Sequence, residues 1–79
     1  MKRPDKLSRT ITLHDGRTIS TLADAVAMID SLPERRQITT VWQVTMAMLL
    51  EARKTGKKMD MQHATAQLAR ALQVEGWIV

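Results

Sequence analysis

The 79-residue chain has no cysteine, phenylalanine or tyrosine, and only two tryptophans, two prolines and three glycines. Without cysteine, neither a disulfide framework nor a thiolate metal site can staple the fold. With so few aromatic rings, base-stacking platforms of the kind that bind single strands are nearly excluded. The longest strongly apolar run, VTMAMLL at 44–50, is far below the roughly 20 residues of a membrane-crossing helix. The basic start, MKRPDKLSR, is followed by no apolar run, so it does not read as a secretory signal. These absences lead to the expectation of a soluble, cytoplasmic protein.

Twelve Lys and Arg stand against eight Asp and Glu, a formal charge of +4, and the pI is about 10.1. Such a balance favours acidic partners such as nucleic acid, without naming one. The length implies one domain. Folding would bury about 60–65% of the unfolded surface, a small core that often leans on self-association for further stability.

Residues 1–8 read as a loose basic arm and 9–79 as the domain. In RTITLHDGRTIST, residues 9–21, alternating β-branched residues flank Asp15-Gly16, a hairpin signal. A two-residue loop would pair Thr12 with Ile19 and turn the two isoleucines to opposite faces. A three-residue loop, His14-Asp15-Gly16, pairs Ile11 with Ile19. It puts Ile11, Leu13 and Ile19 on one face, with Gly16 left-handed. The three-residue loop is therefore expected, and His14-Asp15 is first of all a turn.

A first helix is expected over Leu22–Ser31, N-capped by Thr21 with Asp24 completing a capping box, and ended by Pro33. Leu22, Val26 and Ile29, with Ala25 beside them, form its apolar stripe. PERRQITT reads as a connection. A second helix, from Thr39 or Thr40 to Thr55, is apolar nearly all round, which marks it as central or shared with another chain. Gly56 should cap it, with Arg53 and Lys54 matched to the dipole. A third helix is expected from Asp60 as N-cap to Gly76, burying Met61, Ala64, Leu68 and Leu72, flanked by Ala71 and Val74. Trp77 should fold back over its end as a core anchor. Ile78 and Val79 would form a third strand or pack on the hairpin. The fold class is therefore α+β: an N-terminal hairpin, three helices and a returning apolar tail.

From Ala25 onward the chain resembles a small family of bacterial proteins known as domain of unknown function 982. The resemblance is carried by Ala25, Pro33 with Arg35 and Arg36, a helix ending at Gly56, ATAQLARAL at 64–72 and GWIV at 76–79. It covers about two thirds of the chain and implies a fold but no activity, cofactor or partner.

Chemistry-bearing residues are few. A catalytic His needs a carboxylate on one ring nitrogen, and neighbours on a tight loop point apart, so His14-Asp15 does not make a catalytic pair. Asp60 and His63 have helical metal-ligand spacing but no third ligand nearby, and no metal is expected. There is no Ser-His-Asp set, no paired carboxylates in an apolar setting and no Gly-rich cradle. The expectation is a non-enzyme without cofactors.

Two candidate surfaces remain. RKTGKK, residues 53–58, supplies Arg53, Lys54, Lys57 and Lys58. With Arg35 or Arg36 on the same face these would make a phosphate or nucleic-acid footprint. The plainer reading is a solvated helix end matched to its dipole. Met46, Met48, Met59 and Met61 read mainly as gap-filling core. Trp42 with Met46 is the candidate for self-association, since a large ring with a polar N–H suits an interface. A homodimer comes first, and nucleic-acid binding through the six basic residues is the alternative.

Overall fold

The computed structural model describes residues 6–78. Two strands, β1 (Lys6–Thr12) and β2 (Thr18–Thr21), precede four helices: α1 (Leu22–Asp30), α2 (Glu34–Gln37), α3 (Thr40–Thr55) and α4 (Lys58–Glu75). The class is α+β, a hairpin followed by helices.

The hairpin has the three-residue loop. Ile11 pairs with Ile19 and Thr12 with Thr18. The Leu13 amide donates to the Arg17 carbonyl at 2.8 Å, the Gly16 amide to the Leu13 carbonyl at 3.0 Å, and Gly16 has φ 91°. Ile11, Leu13 and Ile19 are all buried on one face. Further back the register shifts. Lys6 pairs with Thr21, so β1 carries three more residues than β2 between that pair and Ile11–Ile19. This irregularity lets β1 leave its partner and meet α4. The Ser8 amide donates to Thr65 Oγ1 at 3.1 Å, and that hydroxyl donates to the Met61 carbonyl at 2.7 Å. Leu7 is buried beside it. Residues 6–8 therefore belong to the domain and not to a loose arm, while residues 1–5 of the expected arm lie outside the described residues.

α1 starts where its capping box places it. The Asp24 amide donates to Thr21 Oγ1 at 3.0 Å, and Asp24 Oδ2 accepts from the Thr21 amide at 3.3 Å. Leu22, Ala25 and Ile29 are buried, whereas Val26 is only half-buried. The connection before α3 contains the short helix α2, which hydrophobic periodicity could not reveal because none of its four residues is buried.

α3 buries Trp42, Thr45, Leu49 and Ala52, a stripe at alternating three- and four-residue steps. It is not enclosed all round: Val44 and Leu50 are exposed. Gly56 caps it with φ 65°. α4 begins three residues earlier than expected. Lys57 is its N-cap, with no side-chain hydrogen bond, and Asp60 lies inside the first turn. Asp60 Oδ2 instead accepts from Thr55 Oγ1 at 2.5 Å, tying the two helix ends together. α4 buries Met61, Ala64, Thr65, Leu68, Ala69, Ala71 and Leu72, while Val74 is exposed, against expectation.

At Gly76, φ 78°, the Trp77 amide donates to the Leu72 carbonyl at 2.9 Å, the return contact expected of such a cap. Trp77 is half-buried and its ring lies 6.2 Å from that of Trp42. Its carbonyl accepts from the His14 amide at 2.9 Å, which ties the tail to the hairpin loop. Among the described residues the sheet has two strands, and Ile78 packs on the core without strand pairing. Val79 lies outside the described residues. No described helix is long and apolar enough to cross a membrane.

Candidate functional site

His14 and Asp15 sit exposed at the hairpin tip. Asp15 is engaged by Arg17 and not by His14: Oδ1 accepts from the Arg17 amide at 3.0 Å and Oδ2 from Arg17 Nε at 2.6 Å. These bonds, the backbone one foremost, hold the Asp15 carboxyl below the usual carboxylate range. A cavity of about 170 Å³ lies between the tip and Trp77, but its one carboxylate is already paired. His63 is exposed on α4 and Asp60 is bound to Thr55. Among the described residues no three His, Asp or Glu side chains form a group able to hold a metal ion.

The six basic candidates do not form one patch. Arg35 and Arg36 lie on α2, which leads into the start of α3, whereas Arg53, Lys54, Lys57 and Lys58 lie at and beyond its end. The part of α3 that precedes Arg53, residues 40–52, spans about 20 Å. Arg36 also has a structural task. Its guanidinium pairs with Glu75, whose side chain is 8% exposed and whose other oxygen accepts from Trp42 Nε1 at 3.1 Å. One carboxylate thus joins α2, the core tryptophan and the end of α4.

The lysines gain a partner that sequence distance concealed. Lys6 of β1 joins Lys57 and Lys58 around a groove of about 270 Å³, with Ser8, Gly56, Met61 and Gln62. The β1–α4 contact at Ser8 and Thr65 brings them together.

The self-association pair also separates. Trp42 has no exposed surface and its N–H is satisfied inside the molecule, so it has nothing to offer a second chain. Met46 is half-buried and packs against the core. The exposed side of α3 instead carries Thr40, Gln43, Val44, Ala47, Leu50, Glu51 and Lys54, at helical spacing on one face. From Thr40 to Leu50 the helix has no charged residue. Beside this face runs an apolar groove of about 320 Å³, lined by Ile29, Gln37, Met46, Ala47 and Leu50 and with Trp42 beneath. An exposed helix face free of charge for three turns is a departure from ordinary surface composition, and loss of charge is the compositional mark of an interface core. A hint was present in the sequence, since the apolar residues of this helix exceed what one buried stripe needs.

No family model, curated protein or solved structure matches the chain.

Proposed function

We propose that this protein is a cytoplasmic, non-enzymatic interaction module that pairs with a second copy of itself through the outer face of α3. The sequence resemblance to domain of unknown function 982 belongs to that reading as part of the proposal and adds no activity to it.

The observation that carries the proposal is the self-complementarity of the uncharged face. A two-fold axis through Ala47 of two antiparallel α3 helices sets Val44 against Leu50 of the second copy. It sets Gln43 against Glu51 and Thr40 against Lys54. A closed dimer requires such an isologous match, in which each residue meets the partner of its own counterpart. No like charges oppose each other, and the smallest side chain, Ala47, lies where two helix axes come closest. The polar ends of the face offer hydrogen bonds, while its centre offers apolar surface. A face this size lies at the low end of stable interfaces, so dissociation in the micromolar range is expected.

Sedimentation equilibrium from about 5 to 500 µM provides the test, a range that spans micromolar dissociation. The wild type should pass from monomer to dimer. Ala47→Glu should remain monomeric, because two carboxylates would meet at the axis. Val74→Glu, an apolar-to-charged change at an exposed position on α4, should dimerise like the wild type. A monomeric wild type throughout, or an Ala47→Glu variant that dimerises normally, refutes the proposal.

A further inference from the structure

The placement of Lys57 and Lys58 is not explained by stability. Lys57 is the N-cap of α4 and Lys58 its first residue, at the end where the backbone presents unpaired N–H groups and partial positive charge. Side chains that accept hydrogen bonds or carry negative charge are favoured there, and cations are disfavoured. Arg53 and Lys54 behave in the opposite way, because they lie in the last turn of α3, where cations are stabilising. The basic segment therefore divides into two dipole-matched residues and two that oppose the dipole.

The opposed pair is joined by Lys6 from the far end of the chain. These three lysines line one groove, and among the described residues no carboxylate lines it with them. Among the described residues none of the three has an ion-pair partner. Asp60, the acidic residue nearest Lys57 and Lys58 in sequence, is held by Thr55 and is not among the described residues of the groove wall. Three cations around one groove, unpaired among the described residues, repel each other, and a local rule broken without compensation there is what a functional surface looks like. The lysines carry this site; the helix end only shows that their position has a cost.

From this we infer that the Lys6–Lys57–Lys58 groove takes the phosphodiester backbone of duplex nucleic acid, independently of its base sequence. The charge is complementary, and duplex DNA is the denser polyanion, with one charge per about 1.7 Å. Both tryptophans pack against the core, and no aromatic ring lines the groove, so bases have nothing to stack on. Ser8 and Gln62 add polar groups of the kind that bond phosphate oxygens. The site shares no residue with the α3 face and stands whether or not the chain dimerises.

Fluorescence anisotropy with a labelled 20-base-pair DNA duplex tests the inference. Three phosphate contacts predict a log–log salt slope of about −2.7, so affinity should fall about forty-fold between 50 and 200 mM salt. The variant Lys6→Gln, Lys57→Gln, Lys58→Gln should lose at least ten-fold in affinity at 50 mM salt and flatten the slope. Arg17→Gln, Arg35→Gln, Arg70→Gln removes the same net charge at exposed positions outside the groove and should stay within about three-fold of the wild type, since screening limits the reach of distant charges. Circular dichroism should show both variants folded, with the lysine variant at least as heat-stable as the wild type. If the duplex fails to bind at 50 mM salt, or if both triple variants lose affinity equally, the groove has no such role.

Discussion

Among the described residues two threonines are the buried polar residues of the core, Thr45 at 0% and Thr65 at 1% exposure, and replacing each with valine should have very different consequences. Both hydroxyls donate to a carbonyl one turn back, Thr45 to Val41 at 2.6 Å and Thr65 to Met61 at 2.7 Å. What each accepts separates them. Thr45 Oγ1 accepts from Gln67 Nε2 at 3.2 Å, on a half-buried side chain that can rotate towards water. Thr65 Oγ1 accepts from the Ser8 backbone amide, which is fixed by the strand. Valine preserves shape and removes the oxygen. At position 45 the lost hydrogen bond is replaced by solvent and offset by a buried methyl group, so the change should stay below about 0.5 kcal/mol. At position 65 a partly buried amide loses its acceptor, which costs about 1–3 kcal/mol. For a domain of this size, 2 kcal/mol corresponds to a fall in Tm of roughly 8–16 °C. Urea and thermal denaturation of the two variants give the comparison directly, and hydrogen exchange at the Ser8 amide should accelerate only in Thr65→Val. Two variants within about 0.5 kcal/mol of each other would refute the claim that this bond docks β1 on α4.

The glycine caps give a second prediction. A Cβ at Gly56 or Gly76 would meet nothing within 4 Å, so Gly56→Ala and Gly76→Ala should each cost only the left-handed backbone penalty, about 1–2 kcal/mol by denaturation. A third concerns acid. The Ser20 amide, with the Thr21 and Ser20 groups, holds the Asp24 carboxyl below its ordinary 3.8, and Arg17 does the same for Asp15. Carboxyls depressed in the folded state stabilise above the unfolded value, and that contribution fades as pH falls from about 5 through the lowered folded values. Stability measured from pH 7 to 2 should therefore decline on the acid side, and Asp15→Asn with Asp24→Asn should make the decline shallower. Finally, Arg36→Gln should lower stability by up to about 1 kcal/mol, the scale of a half-exposed ion pair, and leave duplex binding unchanged. A large loss of binding would place Arg36 at the phosphate surface after all.

The features legible in the chain were those whose causes are local. The three-residue turn followed from the need to keep Ile11, Leu13 and Ile19 on one face. The start of α1 followed from Thr21 and Asp24, and two helix ends from glycines whose left-handed backbone other residues resist. Each involves residues within a few positions of one another, so spacing and backbone preference suffice. The start of α4 was misread because Asp60 is a good N-cap residue, yet its carboxylate found a partner in Thr55 and left the cap to Lys57. α2 escaped because a helix with no buried residue leaves no periodic trace. Other features depended on packing between distant segments. Trp42 could have served either the core or an interface, and Glu75 drew its N–H inward. Lys6 could not be joined to Lys57 and Lys58 without the strand irregularity that sends β1 to α4, and Arg36 could not be separated from them without the length of α3. Local composition determined the elements and their ends; which face of each became buried, and so which charges and apolar groups met at the surface, was decided by tertiary packing, because it depends on contacts between residues far apart in the chain.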